Sequence, residues 1–199
     1  MSQECAREIE LLVKASWRLL VLESFEEDRA LRAVHAAAQV SERAVVTWSL
    51  AGGVGGNGPG AGSLDAGLKA LVEYADPTLF VVLDAHRVIE DATAVRRLRD
   101  VLPLLAKRRQ AVVLLGPAVD LPLEIERDAA RVQLPLPTAR ELAPLFRRVG
   151  EQRKLQASDD SLWDAAVRAA LGLTASEAVR VFNMACLKAK VLDEAAIQL

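Results

Sequence analysis

Short apolar runs alternate with longer amphipathic segments along the first two thirds of the chain. The run Leu-Phe-Val-Val-Leu at 79–83, which Asp84 follows, is apolar at every position. Such a run is typical of a strand that is buried on both faces of a parallel sheet. The amphipathic segments have the spacing of helices that pack on such a sheet. The pattern therefore predicts an α/β domain, with strands at 18–23, 44–49, 79–84, 111–115 and 131–136.

The pattern changes after Pro137, where only helical segments follow. Two of these open with a capping box, in which a threonine and the glutamate three residues later each accept a hydrogen bond from the other's backbone amide. The last helix is predicted to continue past 191–192 towards the end of the chain. We therefore predict an α/β domain over 1–137 and a helical subdomain over 138–199. The predicted helix starts are Thr138, Ser158 and Thr174, and the predicted stops are Gly150 and Gly172.

The stretch 51–62 is rich in glycine and could be taken for a phosphate-binding loop. A loop of the Walker A type needs the motif GxxxxGK[ST], because its lysine binds the outer phosphates and its hydroxyl holds magnesium. The stretch has no charged side chain, and the first lysine after it is Lys69. We therefore predict a flexible surface loop without a ligand role.

Composition narrows the classes of function. The 199 residues are 52% hydrophobic and carry a net charge of −2, so the bulk charge does not predict binding to nucleic acid or to an anionic membrane. Cys5 and Cys186 lack any motif spacing and are expected to be reduced thiols of a cytoplasmic protein. No apolar run approaches the roughly 20 residues that span a membrane. With only two histidines, we also expect no metal site.

Four stretches resemble one protein family, the uncharacterised two-module AAA proteins named after a hypothetical chloroplast reading frame. The chain is similar to their N-terminal half. The resemblance implies an AAA+ core, with a five-stranded parallel sheet in the order 5-1-4-3-2 and a small helical lid. It also implies that ATP and magnesium bind in a separate module, because a degenerate module precedes an active one in that family. The four stretches are LESFEEDR at 22–29, VTWSL at 46–50, FVVLDAH at 80–86 and VQLPLPTAREL at 132–142.

The phosphate-loop position implied by this resemblance directly follows the first strand, at 23–28. It has no glycine that would let the backbone approach a phosphate, and it has no lysine. Ser24 and Glu27 are predicted to form a capping box that occupies the amides of the next helix. Glu26, Glu27 and Asp28 would also repel a triphosphate. We therefore expect no nucleotide to bind here.

The Walker B position implied by the resemblance is Asp84, but Ala85 and His86 follow it instead of a catalytic glutamate. We expect His86 to make a structural hydrogen bond. The sensor-one position holds Gly116, where active members usually have a polar side chain.

The arginine-finger and sensor-two positions fall near Arg127 and Arg180. We interpret Asp84, Arg127 and Arg180 as vestigial positions, and we expect both arginines to be solvated or ion-paired. No catalytic residue, no nucleotide-binding residue and no metal ligand is expected in this chain.

The favoured hypothesis is a non-catalytic AAA+-like module for protein interaction, assembly or regulation. Its partners would be a neighbouring AAA+ module or subunit and an unidentified protein. One alternative is a divergent ATPase that uses the loop 51–62 and Asp84. Another is a degenerate receiver-like domain, with Asp84 as phosphoacceptor, Glu23 beside it and the strand order 2-1-3-4-5.

Two further points stay open from the sequence. A cationic set around the fourth predicted helix is either a patch for an acidic partner or an exposed helix face. The natural polypeptide is expected to continue beyond Leu199 into an active AAA+ module, because the last predicted helix is still amphipathic there. The cationic set is Arg96, Arg97, Arg99, Lys107, Arg108 and Arg109.

Overall fold

The computed structural model of the chain describes residues 2–157, 159, 161–188 and 191–192. These residues form two compact units. One consists of residues 2–134 and the other of the described residues from Pro135 onwards.

The 2–134 unit is built on one six-stranded sheet in the order β3-β2-β4-β5-β1-β6. Every neighbouring pair is parallel except β2 and β3, which are antiparallel. The predicted count of five strands was wrong because β3 adds a short edge strand. The five parallel strands follow the order 5-1-4-3-2, which excludes the receiver-like alternative. The strands are β1 Leu19–Glu23, β2 Ala44–Ser49, β3 Gly53–Val54, β4 Thr78–Val82, β5 Ala111–Gly116 and β6 Ala129–Gln133.

Helices cover both faces of this sheet, which explains the continuous apolar runs. Successive strand residues point to opposite faces. Phe80 and Val82 of β4 belong to a core with α3 and α4, whereas Leu79 and Val81 belong to a core with α1 and α2. The helices are α1 Ser2–Lys14, α2 Glu27–Val40, α3 Leu64–Val72, α4 Ala92–Lys107 and α5 Leu123–Glu126, with a 3₁₀ turn at Ala85–Arg87.

The last strand of this sheet lies earlier than predicted, at Ala129–Gln133 instead of 131–136. Pro135 lacks a backbone N–H and so cannot donate a ladder hydrogen bond, which is the physical reason for the shorter strand.

The glycine-rich stretch 51–62 contributes a two-residue edge strand to the sheet, which its prediction as a surface loop did not include. Gly53 and Val54 pair with the end of β2. The indole Nε1–H of Trp48, which is fully buried, donates to the carbonyl of Gly60 at 2.8 Å. A side chain at Gly67 would lie 2.4 Å from that Nε1 atom, so the loop, Trp48 and α3 pack tightly together.

The second unit contains three helices and two very short parallel strands. Its core is aromatic, with the rings of Phe146 and Phe182 stacked at 4.2 Å between centroids and Trp163 tilted against Phe182. The elements are α6 Ala139–Arg153, β7 Gln156–Ala157, α7 Ser161–Ala169, α8 Ala175–Lys188 and β8 Val191–Leu192.

Both threonine capping boxes of this unit were predicted correctly. Gly150, however, does not stop α6, because it lies inside the helix where a side chain would meet Trp163 at 2.2 Å. The helix ends instead at Arg153, and its C-cap residue Lys154 has a left-handed backbone. The prediction that the last helix continues past 191–192 was also wrong, since α8 ends at Lys188 and 191–192 form β8. The predicted start at Ser158 and the residues 193–199 lie outside the described residues.

None of the helices that the structure describes is long and apolar enough to cross a membrane.

Candidate functional site

The carboxyl ends of β1, β4 and β5 meet at one edge of the sheet, here called the carboxyl edge. Open α/β sheets bind their ligands at this edge. It holds the residues that the sequence singled out, which are Glu23 and the connection 24–26 after β1, Asp84 and His86 after β4, and Gly116 at the end of β5.

The connection between β1 and α2 is only three residues long and is held by the sheet itself. The backbone N–H of Ser24 donates to the carbonyl of Gly116 on β5 at 2.9 Å. The hydroxyl of Ser24 accepts from the N–H of Glu26 at 2.9 Å. The helix begins at Glu27, with Glu26 as its N-cap residue and no side-chain cap. The predicted capping box of Ser24 and Glu27 was therefore wrong, because Ser24 lies before the N-cap.

Glu26 and Arg29 form a buried ion pair at this same connection. Arg29 Nη1 donates to Glu26 Oε2 at 2.8 Å. Only 8% of the Glu26 side chain and 6% of the Arg29 side chain is exposed. Two charges that are removed from water in this way stabilise each other across this contact. At the position where a phosphate loop would cradle an anion, the chain holds its own carboxylate against its own guanidinium.

A second ion pair ties the end of β1 to β6. Glu23 Oε1 accepts from Arg131 Nη1 at 2.9 Å and from the backbone N–H of Val119 at 3.3 Å. Arg131 Nη1 also donates to the carbonyl of Val119 at 3.0 Å. The sequence analysis missed Arg131. The available signal was the carboxylate of Glu23 at the end of an apolar strand, which requires a partner.

Asp84 is exposed and does not belong to β4, which ends at Val82. Its backbone is left-handed, with φ 50° and ψ 37°, and its carbonyl accepts from the N–H of Arg87 at 2.8 Å. Partial burial raises the pKa of Glu27, and the carboxylates of Asp84 and Asp28 raise it further. Asp84 and the start of α2 therefore share a negative field at the carboxyl edge.

His86 packs beside Gly116. A side chain on Gly116 would lie 2.9 Å from His86 Nδ1, so the glycine at the sensor-one position leaves room for the imidazole ring. His86 Nδ1 is enclosed and has no hydrogen-bond partner in the part of the chain that the structure describes. This nitrogen does not make the structural hydrogen bond that we predicted for His86.

The two arginines named as vestigial positions lie elsewhere. Arg127 is exposed at the end of α5, directly before β6, and so lies at the edge opposite to Asp84. Arg180 is exposed on α8 of the helical unit, and its Nε donates to the carbonyl of Ser176 at 3.2 Å.

The glycine-rich loop follows β2 and so adjoins the carboxyl edge. Near this edge the carbonyl of Trp48 on β2 accepts from the N–H of Leu83, which follows β4. A phosphate cradle requires successive backbone amides that point towards one anion. Several amides of this loop are instead donated within the loop and to β2. They are those of Gly52 to Ser49 Oγ, Val54 to Pro59, Gly55 to Thr47, Gly58 to Gly52 and Gly62 to Leu50.

Within the described ranges, no group of three or more histidine, cysteine, aspartate or glutamate side chains is arranged to hold a metal ion.

Comparison with known families identifies the group of proteins to which the chain belongs. Residues 5–134 match the family described as SpoVK-like AAA ATPase, N-terminal domain, and residues 140–199 match the second domain of the same family. The chain belongs to the SpoVK-like AAA ATPase family.

Curated relatives agree with this SpoVK-like assignment. The chain is 24% identical over 200 residues to the uncharacterised AAA domain-containing protein ycf46 of Trieres chinensis, with 96% of the chain covered. It is 25% identical over 182 residues to the ycf46 protein of Guillardia theta, with 88% covered. The chain spans only 40% and 36% of the length of these two relatives. The predicted resemblance to the two-module family is confirmed.

Solved structures of AAA proteins share the SpoVK-like fold at low identity. The FIGL-1 AAA domain in complex with ADP superposes with a TM-score of 0.66 at 12% identity, over 94% of this chain and 69% of that one. The Thermotoga maritima RuvB Holliday junction branch migration motor gives 0.61 at 13%, over 98% and 67%. At these identities the likeness shows the fold alone.

Proposed function

We propose that this chain is a non-catalytic AAA-type module that serves protein interaction, assembly or regulation. The observation that carries the proposal is the connection between β1 and α2. It has three residues, no glycine and no lysine, and it contains the carboxylate that is paired inside the protein with Arg29. An active phosphate loop needs free backbone amides and a lysine at this point.

Electrostatics at the carboxyl edge supports the same proposal. The pKa of Glu27 is raised first by burial and then by the carboxylates of Asp84 and Asp28, which together place negative charge where a triphosphate would approach. Like charges 4 Å apart repel by about 1 kcal/mol in water and by about 4 kcal/mol at an effective dielectric of 20. A micromolar nucleotide site has only about 8 kcal/mol of binding free energy, so a few such repulsions abolish it.

The proposal also includes a second AAA module as a partner of this chain. The chain corresponds to less than half of its curated relatives, and we propose that ATP and Mg²⁺ bind in a separate AAA module of the parent protein. Coding sequence beyond Leu199 with a GxxxxGK[ST] motif is the expected finding. The neighbouring module and an unidentified protein would be the partners, in the cytoplasm, and we propose no nucleic-acid ligand.

Calorimetric titration with ATP and Mg²⁺ tests the absence of a nucleotide site. We expect no binding tighter than about 1 mM, which corresponds to about 4 kcal/mol. Asp84→Ala serves as the matched variant, because Asp84 is exposed and carries no fold contact through its side chain among the described hydrogen bonds. A low-micromolar site in the wild type that disappears in Asp84→Ala would overturn the proposal.

The second candidate is a divergent ATPase that uses the glycine-rich loop and Asp84. One observation favours it, since the loop follows β2, Asp84 follows β4 and these strands are neighbours in the sheet. The same titration separates the two candidates, because the ATPase requires an Asp84-dependent nucleotide site.

A further inference from the structure

A cleft of about 480 Å³ opens at the opposite edge of the 2–134 sheet, where β1 and β6 begin. Three parts of the chain form it. Trp17 and Arg18 come from the connection before β1, Arg99 and Pro103 from α4, and Arg127 and Asp128 from the connection before β6. We call it the arginine cleft.

The arginine cleft has an excess of positive charge, with three guanidinium groups and the single carboxylate of Asp128 in its lining. Arg99 and Arg127 are exposed, and neither forms a hydrogen bond or an ion pair within the residues that the structure covers. The other four arginines of the cationic set on and after α4 all have partners. Arg96 pairs with Asp100, Arg97 with Asp65, Arg108 with the carbonyl of Val72, and Arg109 with the carbonyl of Ser41.

Arg18 adds a charge that the described protein leaves uncompensated. Its Nε and Nη1 atoms are enclosed, and no acceptor for them exists among the described residues. Burial lowers the pKa of Arg18. Arg18 also affects its neighbour Arg43. Burial lowers the pKa of Arg43 most, and the positive charges of Arg109 and Arg18 lower it further. These two donors are closed to solvent, so a ligand in the cleft would interact with the charge of Arg18 and not with these N–H groups.

We propose that the arginine cleft binds an acidic peptide segment of a protein partner, with a carboxylate placed among Arg18, Arg99 and Arg127. A guanidinium group matches a carboxylate with two parallel hydrogen bonds. Trp17, Leu102 and Pro103 provide an apolar wall for a neighbouring side chain of the peptide. A peptide can place an apolar side chain against this wall, which a free phosphate cannot do. The inference rests on the proposed interaction role and names the partner's chemistry.

Fluorescence anisotropy of the complete chain with a labelled short peptide of alternating glutamate and leucine tests the inference. We expect saturable binding that weakens about 3- to 10-fold in Arg99→Gln and in Arg127→Gln, and by about 10-fold or more in Arg18→Met. Arg32→Gln on α2 is the matched control, because it removes the same charge from an exposed residue outside the cleft lining. It should change affinity less than about 2-fold, which is the size of a purely long-range charge effect.

Three results would overturn the inference. They are no saturable binding, equal binding of the peptide with glutamine in place of glutamate, and an equal loss in Arg32→Gln. Displacement of the probe by inorganic phosphate at the same concentration as by unlabelled peptide would make the cleft a general oxyanion site instead. If Arg18→Met does not fold, as circular dichroism would show, the exposed Arg99 and Arg127 variants still decide. A nucleotide site found by calorimetry would overturn the proposed function and leave the peptide result standing.

Discussion

The carboxylate of Glu26 and the guanidinium of Arg29 lie 2.8 Å apart, and both side chains are more than nine-tenths buried. They occupy the turn between β1 and α2, where AAA proteins with nucleotide place a phosphate loop. The two opposite charges are paired with each other inside the protein at this turn. The energetic importance of this ion pair can be measured.

We expect Glu26→Gln and Arg29→Met each to lower the free energy of unfolding by about 3 kcal/mol, because each breaks a hydrogen-bonded ion pair between two buried side chains. The double variant should lose less than the sum of the two, since both single variants break the same contact. Urea unfolding curves give all three values. Lys14→Met is the control. It breaks the more exposed Lys14–Glu10 pair and should cost less than about 1 kcal/mol. A loss in Glu26→Gln no larger than in this control would contradict the prediction.

Gly67→Ala should destabilise the protein although Gly67 lies in α3. Glycine to alanine in an open helix position stabilises by about 1 kcal/mol. Here the new methyl group would lie 2.4 Å from Trp48 Nε1, so overpacking of about 1–3 kcal/mol should reverse the sign. Thermal unfolding and the indole N–H resonance of Trp48 report the change. Gly56→Ala is a control for backbone strain alone, because Gly56 has a φ of 91° and no atom lies within 4 Å, and it should leave that resonance in place. Stabilisation by Gly67→Ala would show that the packing around Trp48 is loose.

Glu27→Gln should gain stability relative to the wild type as the pH rises. Burial first, and then Asp84 and Asp28, raise the pKa of Glu27 in the folded protein above its unfolded value of about 4.3. The folded state therefore holds this proton more tightly. The ionised Glu27 side chain lowers the free energy of unfolding. This effect is absent below the unfolded pKa and complete above the folded pKa. Unfolding at a series of pH values from 4 to 7 measures the difference. Asp84→Asn should lower the pKa of Glu27 in an NMR titration, and an unchanged value would contradict the assigned cause.

Cys186 should react with iodoacetamide at pH 8 before Cys5 does. Alkylation requires the thiolate. Burial and the carboxylate of Glu8 raise the pKa of Cys5 to about 11, and the residue is only 2% exposed. Burial also raises the pKa of Cys186, which is half-buried. Mass spectrometry of a time course measures both rates, and unfolding in urea should make them equal. Faster labelling of Cys5 in the folded protein would mean that α1 opens readily.

Local features were predictable from the sequence because a few consecutive residues contain all their partners. The capping box of Thr138 and Glu141 forms as predicted, since both side chains and both amides lie within one helical turn. The apolar run at 79–83 predicted β4, because each of its faces meets a helical layer. The order of the parallel strands came from the family resemblance and not from the residues themselves.

Only the tertiary structure decided which residue meets which across the fold. Ser24 fails as a helix cap because the carbonyl of Gly116, on a strand far along the chain, holds its backbone amide. The glycine-rich loop has no alternation of hydrophobic residues that could have predicted β3. The hydrogen bond from the indole of Trp48 to the carbonyl of Gly60 helps to fix the conformation of this loop. Arg131 reaches Glu23 only because β6 lies beside β1. A sequence pattern shows that a side chain is buried or charged, but it does not show its partner when that partner is distant in the chain.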